Sequence, residues 1–383
     1  MCRWVVYRGP RVRLEDILLK PSHSPITMAT EHYVPNVMRE GSDIVDLLHV
    51  TRRNICDNLD GFGMGWYAGD VDESDSKSCS GGDGGETHGG KEKGQQHVKP
   101  LIYKTTKAPK NDEEMHCIAK EEESGCVFAH NRASSAGAKD VMNCHPWSYG
   151  RFMWMHNGTI ARFTAVRAAM LDEMGPEFAA QIQGKTDSEC AFFLFLHYLA
   201  LALTRGRSAN ADEKPFLDAE AATNVRTTAA MLADCMEKTI KKIAKLVDSV
   251  CDEECRKREL SSLNFAITDG VSVVGARFRD SRMEPPPSLY YAHGIMCQRP
   301  DGSLKFVEPG CDADQLARAA IISSEPLINK DAAMDLQVDW HLINANHLVV
   351  VDEDRDLTVR PISVELDLVA EKFVRRMKWR AFA

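Results

Sequence analysis

The chain has 383 residues, of which 44% are apolar and 27% charged, and a formal net charge of -9. That is enough apolar side chain for a large core, in the composition of an ordinary soluble globular protein. The negative balance, with no long single-sign run, argues against nucleic acid or an anionic membrane surface as the main partner.

The N-terminus, Met1-Cys2-Arg3-Trp4-Val5-Val6-Tyr7, lacks the apolar core of a secretory signal. Its Trp4–Tyr7 run is β-branched and aromatic, which predicts a strand. A loop of Pro, Ser and His follows (Lys20-Pro21-Ser22-His23-Ser24-Pro25). Asn58 to Tyr67 contains Asp60-Gly61-Phe62-Gly63-Met64-Gly65 and reads as a turn entering a strand, with glycines where another backbone comes close. Between Gly69 and Lys99 the chain becomes polar and glycine-rich. Such a segment buries too little apolar surface to offset its ordering entropy, so residues 70–99 are expected to form a disordered insertion.

Strands are predicted at Leu101–Lys104, Cys126–Ala129 and Phe152–Met155, then helices at Ile160–Met174 and Asp187–Arg205. Thr186-Asp187-Ser188-Glu189 is a helix-start signal. The most apolar run, Ala191–Leu203, is shorter than the roughly 20 residues that span a bilayer and holds His197, so it is read as a buried helix. Val225–Leu260 is amphipathic at helical spacing, with Leu232, Met236, Ile240, Ile243 and Val247 on one stripe. That stripe is core, or alternatively a docking face for a partner. Strands return at Asn264–Thr268 and Val271–Ala276 around an Asp269-Gly270 turn. Others follow at Leu289–Ala292, Ala320–Ser323, His347–Val351 and Leu357–Val359. The pattern is one α+β domain over residues 2–370, with two sheets and helices outside them.

The twelve cysteines are scattered and lack zinc-ligand spacing. Mostly free thiols in a reducing, cytoplasmic setting are expected, with no metal.

Four short segments carry chemistry. Removal of Met1, allowed by the small second residue, would leave Cys2 with a thiol and an α-amine on one Cα. Their reference pKa values of about 8.5 and 7.7–8.0 let the amine serve as base to its own nucleophile. The turn after Phe128-Ala129-His130-Asn131 holds Arg132, suited to bidentate capture of a carboxylate, or to a surface ion pair. His156-Asn157-Gly158 closes a strand; an Asn amide and the next backbone N–H can form an oxyanion hole, or a plain turn. Asp187 can pair with an ammonium or cap a helix.

In their order and spacing, Cys2, His130-x-Arg132-x-x-Ser135, His156-Asn157-Gly158 and Thr186-Asp187-Ser188-Glu189 resemble the class II glutamine amidotransferases over most of the chain. The branch most resembled is the fungal glutathione-degrading subunit of that fold; the bacterial γ-glutamyl hydrolase of ergothioneine synthesis looks like a cousin. Further residues carry that likeness: Met1-Cys2-Arg3, Lys20-Pro21-Ser22-His23-Ser24, Asp60-Gly61-Phe62-Gly63, Asn143-Cys144-His145-Pro146 and Ser323-Ser324-Glu325-Pro326-Leu327.

The resemblance implies an N-terminal-nucleophile (Ntn) hydrolase fold, an αββα four-layer sandwich of two antiparallel sheets. It implies that Cys2 forms a γ-glutamyl thioester and that Asn157 and the Gly158 N–H hold the oxyanion. Arg132 and Ser135 would bind the α-carboxylate, and Asp187 the α-ammonium. It further implies hydrolysis of a γ-glutamyl amide such as glutathione, without a cofactor, and a metallopeptidase-like protein partner. Two other functions fit the same motifs: a glutaminase feeding ammonia to a separate synthase, and a catalytically silent scaffold. Ala133 and Ser135 stand where purine- and hexosamine-type amidotransferases carry Trp and Thr, and the smaller Ala133 leaves room for a larger leaving group.

Overall fold

The computed structural model describes residues 2–31, 57–69, 99–133, 140–204, 215–252, 254–255, 259–281, 284–298, 304–307, 317–327 and 340–364. All of the expected insertion at 70–99 except Lys99, and Ser135, lie outside them. The first half comprises β1 (Arg3–Arg13), α1 (Leu14–Leu18), β2 (Phe62–Trp66), β3 (Leu101–Thr105), α2 (Glu113–Glu121), β4 (Glu123–Asn131), β5 (Trp147–Tyr149) and β6 (Phe152–Thr159). A helical middle follows: α3 (Phe163–Met174), α4 (Pro176–Ala179), α5 (Asp187–Thr204), α6 (Ala221–Asn224) and α7 (Ala229–Val250). The last third is β7 (Ser262–Thr268), β8 (Val273–Arg277), β9 (Tyr290–Gln298), β10 (Leu304–Val307), β11 (Ala317–Ser323), β12 (His341–Leu342), β13 (His347–Val351) and β14 (Leu357–Pro361).

One sheet runs β10-β9-β11-β1-β4-β2-β3, with β12 also on β9; the other runs β14-β13-β8-β7-β6-β5. Every pairing is antiparallel. Three apolar cores define four layers. Trp4, Val6, Phe128, Ile322, Met153, Met155 and Val349 fill the space between the sheets. Val5, Tyr7, Ala129 and Ile321 face the other way, onto α1 and Met115 and Ala119 of α2. Phe152, Trp154, Phe265 and Ile267 pack against α3, α5 and α7. The period-2 alternation of each strand therefore distributes its side chains between two cores. The αββα layering implied by the resemblance is the architecture of the chain.

The helical middle is built on burial. Twelve residues of α5 are buried, including Phe192, Phe193, Phe195 and Leu196. By length and composition α5 is apolar enough to cross a membrane, yet it is the central helix of a core between sheet and helices. All five residues of the α7 stripe are at most 1% exposed. That corrects the docking alternative: the face is core, and a partner would need another surface.

Several boundaries differ from expectation. The helix expected from Ile160 begins at Phe163, because β6 runs on through Thr159. The long amphipathic helix ends at Val250, with Cys251 extended (φ -107°, ψ 120°). The Asp252 carboxylate then turns the chain by accepting from the Cys255 N–H at 2.8 Å. Cys251 and Cys255 are brought side by side there, whereas Cys2, Cys117, Cys126, Cys144, Cys190 and Cys235 are free thiols, in keeping with the expectation of mostly free cysteines. Helix α2 was not foreseen, although Asp112 caps it through the Met115 N–H and Met115 and Ala119 lie on one face. The Asp269-Gly270 turn is as expected: Gly270 has φ +94°, and the Asp269 carboxylate accepts from the Val271 and Ser272 N–H groups.

Candidate active site

The site lies where the ends of β1, β4 and β6 meet between the sheets. Cys2 immediately precedes β1, and strand alternation puts its side chain on the inter-sheet face with Trp4 and Val6. The Ala133 N–H donates to Cys2 Sγ at 3.3 Å. Burial pushes the thiol pKa up, opposed by that hydrogen bond and by nearby positive charge, including Arg3 and Arg132. The resting thiol is thus neutral and needs a base to become a nucleophile.

Arg132 follows β4, and its backbone clasps the start of β2: its N–H donates to the Gly61 carbonyl (2.8 Å) and its carbonyl accepts from the Asp60 N–H (3.1 Å). The guanidinium-bearing side chain is 7% exposed. Opposite, Asn157 follows Met153 and Met155 on the inter-sheet face of β6, and is 2% exposed, its side-chain oxygen without a partner among the described residues. The two sheets are tied here by His130 of β4, whose Nε2 donates to the His156 carbonyl at 3.3 Å.

Gly158 has φ +152°, and a Cβ there would stand 1.7 Å from the Ser262 carbonyl oxygen. Only glycine fits, since both the conformation and the contact exclude a side chain. His156 points away from the site, into the helical core. It bonds Ser188 Oγ of α5 (Nδ1, 2.8 Å) and the Ser262 carbonyl (Nε2, 3.0 Å). Burial pulls its pKa down, with Asp187's charge and the Ser262 carbonyl acting against this. It is a bracket that positions Asn157-Gly158.

Asp187 stands at the start of α5 beside this turn. Its carboxylate accepts from the Ile160 N–H (2.8 Å) and the Ser188 hydroxyl (3.2 Å). It does not cap its own helix. Thr186 does, through the Glu189 N–H (3.3 Å), while the Glu189 carboxylate reaches back to the Gln183 and Gly184 N–H groups. With Thr186 as the cap and Glu189 holding the preceding loop, Asp187 is left to brace the Gly158–Ile160 turn. The structure therefore gathers Cys2, Arg132, Asn157, Gly158 and Asp187 around one end of the sandwich.

Two quoted motifs also meet here. Gly61, just before β2, and Gly63 and Gly65 on its inter-sheet face lie under Asn143-Cys144-His145-Pro146. A Cβ on Gly61 would sit 2.7 Å from Cys144 Sγ, and one on Gly63 would sit 2.0 Å from the His145 carbonyl oxygen. His145 stacks on His130 with ring centroids 3.9 Å apart. Burial holds both imidazoles neutral, with the His130 pKa down to about 3. The glycine spacing was legible; that its purpose is to seat this loop was not. No grouping of three or more metal-ligating side chains occurs among the described residues.

No family model matches the chain. A Saccharomyces cerevisiae protein, "Probable glutamine amidotransferase DUG3", is 28% identical over 363 residues, covering 94% of this chain and 84% of that one. Among solved structures, a glutamine aminotransferase class-II domain protein from Silicibacter pomeroyi superposes with a TM-score of 0.49 and 17% identity, covering 94% of this chain and all of that one. Glutamine phosphoribosylpyrophosphate amidotransferase from B. subtilis gives a TM-score of 0.45 and 11% identity over 96% of this chain and half of its own. The likeness to the yeast protein is sequence-wide, well beyond the short motifs.

Proposed function

We propose that this glutamine amidotransferase-like chain hydrolyses a γ-glutamyl amide bond, with glutathione as the leading substrate, through a thioester on Cys2. The observation that carries the reading is the thiol held at the Ala133 N–H, on the face shared with Arg132 and opposite Asn157-Gly158. A γ-glutamyl group has one carboxylate and one ammonium; in this reading Arg132, whose charge acts on the thiol, takes the carboxylate and Asp187, beside the Gly158–Ile160 turn, takes the ammonium.

In the proposed cycle Met1 is removed and the Cys2 amine takes the thiol proton. The thiolate attacks the γ-carbonyl, and the oxyanion is held by the Asn157 amide and the Gly158 N–H. The C–N bond breaks as the departing amine receives the proton. Water then adds to the thioester and glutamate leaves with its carboxylate restored. A thiol kept neutral by burial fits a residue that carries its own base. A metallopeptidase-like partner would dock away from the α7 stripe, which is core.

The yeast relative's name favours a second reading, with glutamine as substrate and ammonia passed to a synthase. One experiment separates them. Purified protein is weighed intact before and after reaction with diazo-oxo-norleucine, and glutamate release is measured from glutathione and from glutamine. Loss of Met1, one adduct on Cys2 and release from glutathione are expected. Release from glutamine alone would transfer the assignment to the second reading. A retained Met1 would remove the mechanism.

A further inference from the structure

The start of β1, the Lys20–Ser24 loop and the segment after β11 meet on the outer face of the first sheet, behind Cys2. Arg3 is adjacent to Cys2 but points to the opposite face, with Val5 and Tyr7. It is 2% exposed. Its Nη1 donates to the Cys2 carbonyl at 3.1 Å, and its Nε is ion-paired with Glu325. Glu325, just beyond β11, is fully buried and accepts from His23 Nε2 at 2.8 Å. Burial by itself would raise the Glu325 pKa; the His23 hydrogen bond and the Arg3 charge outweigh it and hold the carboxyl below its usual value. The loop carrying His23 is pinned by Asn131, whose side-chain amide donates to the Pro25 carbonyl. Immediately after β11, Ser324 clasps the Trp4 backbone twice, accepting from its N–H at its hydroxyl and donating its own N–H to the Trp4 carbonyl.

The chemistry gives this cluster a reason to exist. Cys2 lies outside the β1 ladder, which starts at Arg3. Once Met1 is gone Cys2 is a free chain end, and chain ends fray unless tied down. A nucleophile misplaced by about 1 Å costs on the order of 100-fold in rate. The fork of a guanidinium can hold a carbonyl and a carboxylate at once, which an ammonium on a flexible stem does less well.

We infer that Arg3, braced by Glu325 and His23, is a positioning residue for Cys2: it grips the Cys2 carbonyl from behind the sheet and so keeps the thiol and its α-amine over the site. This rests on Cys2 being the nucleophile, and on no particular leaving group.

The test uses the full chain after Met1 removal, confirmed by intact mass, and follows alkylation of Cys2 by diazo-oxo-norleucine to separate the inactivation rate from the binding constant. Arg3→Lys keeps a charge against Glu325. It should lower the inactivation rate by about 100-fold and leave the binding constant unchanged, because Arg132 and Asp187 are untouched. His23→Gln, which leaves the Arg3–Glu325 pair in place, should lower the rate by roughly tenfold, as loss of one hydrogen bond to a charged group does. An unchanged rate in folded Arg3→Lys overturns the inference, as does a weakened binding constant that accounts for the whole loss. If Arg3→Lys fails to fold, His23→Gln decides alone: a selective fall in rate supports the inference and an unchanged rate overturns it. Wild-type protein that alkylates at Cys2 but releases no glutamate defeats the proposed function and leaves this test intact. Wild-type protein that does not alkylate at Cys2 defeats both.

Discussion

The two sheets hold their halves of the site by different means. The first sheet presents the residue just ahead of β1, and behind it sits a buried polar cluster: the Arg3–Glu325 ion pair with His23 hydrogen-bonded to it. The second presents the end of an internal strand, β6, and behind it sits an apolar core of α3, α5 and α7, with His156 and Ser188 as the polar insertion. An internal strand is fixed by its ladder on both sides and by packing of its alternate side chains. Cys2 lies ahead of the ladder, which starts at Arg3, so its direction must come from hydrogen bonds and charge. Packing sets where Asn157-Gly158 lies; directional bonds set where Cys2 lies.

Phe192→Ala tests the apolar half most severely. Phe192 is fully buried and stacks near Trp154 of β6, ring centroids 5.8 Å apart. Removing it should cost about 3–5 kcal/mol of unfolding free energy by urea titration. The protein that stays folded should retain Cys2 alkylation. A selective loss of alkylation with stability intact would reverse the division of labour. Gly158→Ala attacks the same strand at the site. The Cβ meets the Ser262 carbonyl, so the turn must shift and the oxyanion donors with it. Turnover should fall by roughly 100- to 1,000-fold while a γ-glutamyl product still binds. Arg132→Lys sharpens the view of the first sheet. Charge is kept and the fork is lost, so KM should rise by roughly 10- to 100-fold, the equivalent of about 1.5–3 kcal/mol, with kcat little changed.

Acid should separate the two kinds of support by pH. Burial depresses His130 (to about 3), His145 and His156. The unfolded chain then binds protons that the folded chain refuses. Stability is complete above the unfolded imidazole pKa of about 6.5 and falls as pH drops toward the folded values, by at most about 1.4 kcal/mol per pH unit for each group. The depressed Glu325 carboxyl works in the same sense at lower pH. Its contribution is present above its unfolded pKa of about 4.3 and is lost as pH falls through its folded value. Urea midpoints should therefore decline already between pH 6.5 and 5, and His156→Gln should flatten that early decline. A midpoint constant down to pH 5 would mean that the imidazoles are protonated in the folded state.

Much of the sandwich was legible in the sequence. Trp4–Tyr7, Phe152–Met155 and His347–Val351 alternate or run apolar as strands between two cores must, and Thr186…Glu189 announced α5. What escaped was short or polar. β5 and β12 have three and two residues, too few to establish a period, and α2 is a nine-residue helix whose apolar face is narrow. Within the site, Cys2, Arg132, Asn157, Gly158 and Asp187 were found because each residue type suggests a chemistry. His23 and Glu325 show no role in the sequence, because what a buried polar group does depends on the partner it meets, here Arg3.

By itself the sequence determined the strand and helix types, the glycines that no side chain can replace and the set of reactive groups, since these depend on local geometry and on side-chain chemistry. Only the tertiary structure decided which groups share a face. Arg3 and Cys2 are neighbours in sequence yet sit on opposite sides of a sheet, whereas Arg3 and Glu325 are 322 residues apart and in contact. Strand alternation separates the first pair and antiparallel register joins the second, and register is fixed by burial across the whole sheet. That is why Cys2, a single thiol near the start of the chain, is held over the candidate site only when β11 folds against β1.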